Sequence, residues 1–429
     1  MLDLKITAAN LPDGRQNIDI GIQGPKIVAL EPNLQAQATQ TIDAKNRLVT
    51  PPFIDSHVHL DSTLSLGHPR LNDSGTLLEG IALWGELKPL LTPDAIYDRA
   101  KKLCLWSIAR GTLAIRSHVD ICDDRLLAVD ALLALREDLK PYLDIQLVAF
   151  PQDGFFRYPK SKENLLRALK KGVDVVGGIP HFERTMQDGA DSVAALARIA
   201  ADHGLMVDMH CDESDDPHSR HIETLAKETI NHNLQNRVAG SHLTSMHSMD
   251  NYYVSKLIPL IREAGIAAIA NPLINITLQG RHDTYPKRRG MTRVKELMAA
   301  GVTVAFGHDC VMDPWYPLGS HDMLEVAAMA LHVGHLTGVS EIKSCFDAVT
   351  TNAAKTLNLE NYGLEPGSDA NLIILQAENP IEAIRLCANR LQIIRKGQIL
   401  ASAPEQKTTI HAPALARTLD FTHANLMAS

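Results

Sequence analysis

Eight apolar segments rich in β-branched residues recur over about 260 residues of this chain, alternating with helical stretches, and that alternation restricts the fold more than any other feature. Strands are expected at residues 49–54, 112–117, 144–150, 174–179, 206–209, 237–239, 267–270 and 303–306. Helical patterns fall between them, among others at 93–109, 162–171, 192–203, 250–264 and 293–300. Parallel strands need crossover connections of this length, and eight strand–helix units close into an α/β fold, a (β/α)8 barrel of the TIM type. The flanks read differently. Short strands at 4–8, 18–22, 26–30 and 47–49 are separated by Pro12-Asp13-Gly14 and Gly24-Pro25. Strands at 370–375, 392–395 and 398–401 follow the turn at Leu364-Glu365-Pro366-Gly367-Ser368. The expected organisation is a barrel over 51–363, with 1–50 and 364–429 forming a small composite β-sandwich-like domain that includes a C-terminal tail.

In such a barrel the C-terminal strand ends carry the chemistry. Here they end in His57-Val58-His59, His118-Val119-Asp120, Gln152, His181, His210 with Glu213, His242, Asn271, and His308-Asp309. Burying so many polar groups without a common purpose costs more than a core tolerates, so a shared polar pocket is expected. His57 and His59, two apart on one strand, point the same way. With His210 and Asp309 they make an N3O donor set that suits one divalent metal ion, zinc or ferrous iron. Such an ion lowers the pKa of a bound water from about 15.7 to about 7. No lysine follows the fourth strand to bridge a second ion; Lys170 and Lys171 precede it. Glu213 is placed to shuttle protons, and His242 and Asp309 to orient and deprotonate the water. Gln152 offers an amide to a matching ring edge, which implies a flat heterocycle with a lactam or ureide edge. His118, His181, His247 and His308 are expected to be structural, and Cys310 to line the pocket rather than act as a nucleophile.

Composition narrows the partners. Net charge is −8 and no Lys/Arg run is longer than the three of Lys287-Arg288-Arg289, which argues against nucleic acid and anionic membranes. No apolar stretch reaches the ~18 residues of a membrane span, and the start lacks a basic region followed by an apolar run, so a cytoplasmic protein is expected. Six cysteines contain no Cys-x-x-Cys pair, which argues against a disulfide framework or a structural zinc cluster, and the absence of a His-x-Glu followed by Pro-Cys-x-x-Cys excludes the other zinc-deaminase architecture.

Several stretches together resemble the bacterial cytosine deaminases of the amidohydrolase superfamily, over nearly the whole chain. They are Pro52-Phe53-Ile54-Asp55-Ser56-His57-Val58-His59-Leu60-Asp61, Ser74-Gly75-Thr76-Leu77-Leu78-Glu79-Gly80, Val148-Ala149-Phe150-Pro151-Gln152, His210-Cys211-Asp212-Glu213, Leu278-Gln279-Gly280-Arg281, Tyr285-Pro286-Lys287-Arg288-Arg289-Gly290 and Asp313-Pro314-Trp315. The resemblance implies iron or zinc at His57, His59, His210 and Asp309, and Glu213 protonating ring N3 of a free pyrimidine base. It implies base contacts from Gln152, His242, Leu77, Phe150, Cys310 and Trp315, and a homo-oligomer, hexameric in that family. One position departs: Cys310 stands where a second aspartate usually follows the metal aspartate, beside C5 of the base. The expectation is a deaminase of cytosine that admits 5-methylcytosine. A ring-opening cyclic amidohydrolase, an isoguanine deaminase and a catalytically silent barrel are the alternatives.

Overall fold

The computed structural model describes residues 1–415 and 417–422; the last residues of the expected C-terminal tail, 423–429, lie outside the described residues. The barrel strands are β1 (Phe53–Val58), β2 (Thr112–Asp120), β3 (Asp144–Phe150), β4 (Val175–Gly178), β5 (Met206–Cys211), β6 (Val238–His242), β7 (Ala267–Ala270) and β8 (Val304–Phe306). Each pairs in parallel with the next in sequence. Helices cover the outside, so both faces of the strands are shielded from water, and β1, β2 and β6 are buried at every residue. The seam between β1 and β8 closes through a bridge from Val58 to Asp309. There the Asp309 amide donates to the His57 carbonyl at 2.7 Å, and the His59 amide donates to the Asp309 carbonyl at 3.1 Å.

The two chain ends meet as expected of the fold class. One four-stranded sheet runs in the order Lys26–Glu31, Ile18–Gln23, Leu2–Ala9, Ala38–Asp43, and another in the order Gln398–Ser402, Arg390–Arg395, Leu372–Leu375, Val49–Thr50. Alternate residues Leu4 and Ile6 meet Ile20, Ile22, Leu372, Ile374 and Ile394 in a core separate from that of the barrel. We propose residues 50 and 364 as the borders of this unit. The single strand expected at 49–54 is two. Pro51 and Pro52 have no N–H for a ladder, so Val49–Thr50 pairs with Leu372–Leu375 and the barrel begins afresh at Phe53. Ala38–Asp43 escapes a reading by apolar alternation because it is a polar, largely exposed edge strand, held parallel to Leu2–Ala9. Among the described residues no helix is long and apolar enough to cross a membrane.

Candidate metal centre and active site

β1 and β5 bring His57, His59 and His210 to the barrel mouth, and the turn after β8 brings Asp309. One ligand atom from each of the four lies within 4.8 Å of the others, and all four residues are buried. His59 Nε2 and His210 Nε2 are 3.0 Å apart, while Asp309 Oδ1 is 3.6 Å from His57 Nε2 and 3.5 Å from His59 Nε2. Gly307 permits this approach: a Cβ there would lie 2.5 Å from Asn271 Oδ1 and 2.6 Å from His57 Cβ.

The electrostatics of the group suit a cation. Burial holds His57 and His210 well below the usual imidazole range and brings His59 down to about 4, so all three are neutral at pH 7. Burial, and next the Glu213 and Asp313 carboxyls, push Asp309 well above the carboxylate range. Its ion-pair contacts are to histidines alone among the described residues. His57 Nε2 is buried without a hydrogen-bond partner. Three neutral imidazoles and an acidic oxygen around an unpartnered nitrogen are the donor set of a divalent ion with room for a water. Lys171 pairs with Asp130 on the outer surface, away from this centre.

Three residues around the cluster sit on strained turns. Asp212, His242 and Asp309 have φ of 54°, 71° and 69°, a region that costs a side chain about 1–3 kcal/mol and persists only where surroundings enforce it. Asp212 supplies that enforcement beside Glu213. Its carboxylate accepts from Ser219 Oγ (2.7 Å), the His221 amide (3.0 Å), His221 Nδ1 (2.8 Å) and the Ile222 amide (2.9 Å), tying the turn to the start of helix His221–Asn231. Glu213 Oε1 then lies 3.4 Å from His242 Nδ1, and burial raises its carboxyl to about 8. Asn275 Nδ2, 3.0 Å from His242 Nδ1, fixes the His242 ring.

Above this floor lies a cavity with mainly apolar walls. Of the residues expected against substrate, Leu77, Gln152, His242, Cys310 and Trp315 line it. Phe150 does not. It is fully buried, and its ring stacks on His210 with centroids 4.0 Å apart and planes at 16°, so it packs against His210 rather than in the cavity wall. His181, expected to be structural, lines the cavity together with Ile179 and Phe182 from the turn after β4. Ile274 and Leu278 of helix Pro272–Leu278 add to the apolar lining. His118 stays beneath the centre, 4.0 Å from the His57 ring, His247 binds Asp215 at 2.9 Å, and His308 Nδ1 donates to the Cys310 carbonyl at 3.0 Å. The Tyr285–Gly290 segment acts as a clamp: Arg288 grips both oxygens of Asp283 and the Asp215 carbonyl, and the nearby Arg281 reaches the Gly75 carbonyl at 2.8 Å.

Residues 40–400 match the family model described as the amidohydrolase family. The chain belongs to that family. It is a hydrolase acting on C–N bonds, and its likeness to solved structures bears out the resemblance to cytosine deaminases. A 5-methylcytosine deaminase from Klebsiella pneumoniae liganded with 5-fluorocytosine is 42% identical with a TM-score of 0.92, over 96% of this chain and 100% of that one. An N-isopropylammelide isopropyl amidohydrolase from Pseudomonas sp. (strain ADP) is 29% identical over 407 residues, covering 93% of this amidohydrolase and 97% of that protein. A pterin deaminase from Rhizobium rhizogenes is 28% identical, covering 83% and 82% respectively.

Proposed function

We propose that this amidohydrolase deaminates free cytosine-type bases, converting cytosine to uracil and 5-methylcytosine to thymine with release of ammonia. The observation that carries the 5-methyl reading is Cys310, 4% exposed, in the cavity wall beside Asp309. Burial, then Asp309 and Asp313, push its thiol far above the usual range, so it stays a neutral, weakly hydrated surface on which a methyl group can rest. The Klebsiella pneumoniae neighbour, a 5-methylcytosine deaminase, supports the same substrate.

A zinc or ferrous ion held by His57, His59, His210 and Asp309 would lower the pKa of a water to about 7 and so supply the nucleophile. Gln152 presents amide N–H and C=O groups that match the N–H and carbonyl edge of a pyrimidine. Glu213, protonated at neutral pH, gives its proton to ring N3 as oxygen adds at C4. His242, 3.4 Å from Glu213 and 3.8 Å from Asp309, accepts the proton that the water loses. Cleavage of the C4–N bond then passes the His242 proton to the departing amine, while the new hydroxyl at C4 returns its proton to the Glu213 carboxylate, leaving a C4 carbonyl, ammonia and both side chains as they began. Homo-oligomeric, hexameric assembly and a cytoplasmic location belong to this reading; light scattering that finds a monomer would set the assembly aside.

Exchanging Cys310→Asp tests the substrate. The expected result is a fall of about 10–100-fold in the kcat/KM ratio of 5-methylcytosine to cytosine, since one methyl in a pocket carries about 1–3 kcal/mol. Equal losses on both bases would remove the role of Cys310 in choosing between them, and substrate turnover without ammonia would replace deamination by ring opening. Gly80 backs the Trp315 side of the cavity. A Cβ at this position of helix Leu77–Leu87 would lie 2.3 Å from Trp315 Cδ1. Overpacking of that kind costs about 1–3 kcal/mol, and Gly80→Ala is expected to drive the indole into the cavity and raise KM about tenfold with a smaller change in kcat, as steady-state kinetics would show.

A further inference from the structure

Below the proposed metal position, a line of fully buried polar side chains crosses the barrel interior from β6 to β5 to β2. His57 Nδ1 lies 2.9 Å from Ser241 Oγ, and Ser241 Oγ lies 2.7 Å from Asp208 Oδ1. Asp208 Oδ2 accepts from Arg116 Nη1 at 2.9 Å. Arg116 is held in turn by Gln146 Oε1 at 2.7 Å and the Thr356 carbonyl at 3.0 Å. Arg116, Asp208 and Ser241 are all completely buried.

The direction of each hydrogen bond follows from the residue at the far end. A guanidinium cannot give up its proton in a protein, and Asp208 is the one anion paired with Arg116 among the described residues. Asp208 accepts from Arg116 on one oxygen and from Ser241 on the other, the way a carboxylate bonds when it is the partner of a buried guanidinium. The single hydroxyl proton of Ser241 is therefore committed to Asp208, and Ser241 Oγ meets His57 as an acceptor. His57 must then carry its proton on Nδ1, which leaves the Nε2 lone pair bare. That Nε2 is the atom without a partner, 3.6 Å from Asp309 Oδ1. His210 has no such arrangement: its Nδ1 has no hydrogen-bond partner.

We infer that Ser241, oriented by the Asp208–Arg116 pair, is a positioning residue that holds His57 in the one tautomer able to bind a metal ion. This rests on the metal-centre reading above and adds to it a residue that touches neither ion nor substrate. Outer partners of this kind change metal affinity by about 10–100-fold.

The test uses the full chain, stripped of metal and titrated with zinc against a chromophoric chelator. Ser241→Ala is expected to bind zinc about 10–100-fold more weakly than the unsubstituted chain, and Ser241→Thr, which keeps the hydroxyl, within about threefold of it. An alanine variant with undiminished affinity overturns the inference, as does a threonine variant that folds and binds as weakly as alanine. Histidine 15N spectra of the metal-free chain, with the His57 signals assigned by their loss in His57→Gln, read the tautomer without touching Ser241. Protonated Nδ1 and bare Nε2 at His57 are expected, and the opposite tautomer overturns the inference whatever the variants do. Failure of the unsubstituted chain to take up zinc or iron would strike the metal-centre reading itself, a different result from any of these.

Discussion

Glu213→Gln is expected to lower kcat on cytosine by about 10²–10⁴-fold, the range that a positioned proton donor contributes, with little change in KM. Glutamine keeps the size of the side chain and a hydrogen-bond donor but has no proton to surrender to ring N3. The loss falls on kcat because Glu213 lies on the floor of the cavity, 3.4 Å from His242, where it serves the transition state more than the resting base. A KM increase with kcat unchanged would make Glu213 a binding residue instead. The same substitution carries a stability signature in the metal-free chain. The Glu213 carboxyl titrates near 4.5 when unfolded and is raised to about 8 by burial in the folded protein. The folded state thus holds the proton more tightly, and native stability is lost as pH rises from about 4.5 to about 8. Glutamine pays no such penalty, so metal-free Glu213→Gln should melt above the unsubstituted chain on the alkaline side of about 8, with the advantage vanishing towards about 4.5. Calorimetry across that range checks the sign.

Removing the ion is the second large effect. A chelator is expected to reduce deamination by about 10³-fold or more, because a Lewis acid supplies several kcal/mol to the barrier and each ~1.4 kcal/mol is a factor of ten. Zinc or ferrous iron added back should restore the unsubstituted chain. His210→Ala should not recover, since it removes one of the three nitrogens whose ligand atoms converge within 4.8 Å. Elemental analysis should find about one ion per chain, in keeping with the single N3O donor set. Full activity in a chain shown to be free of metal would end the metal-dependent account.

The barrel was readable because its strands are continuous apolar runs of β-branched residues, and because β1, β5 and the turn after β8 each stop in a residue that can ligate. Convergence itself was not readable at His181 or Phe150, whose positions depend on how a turn swings. Pro180–Phe182, one residue past β4, form a 3-10 turn that carries His181 into the cavity. Phe150 ends β3 with its ring stacked on that of His210. Pro51-Pro52 did carry a legible signal, the absence of two ladder donors, and gives the break between Val49–Thr50 and β1 its cause. Asn275, Asp212 and Ser241 left no pattern in the chain: each acts through a hydrogen bond to a partner distant in sequence or through a local φ that composition does not encode.

The first and last strands are joined by the backbone of the very residues whose side chains would grip the ion. Catalytic competence and closure of the cylinder are therefore a single property of this chain. An ion seated there is a rivet across the join, so the empty protein should breathe first at His59 and Asp309, and hydrogen exchange at those two amides should slow more on loading than anywhere else in the barrel.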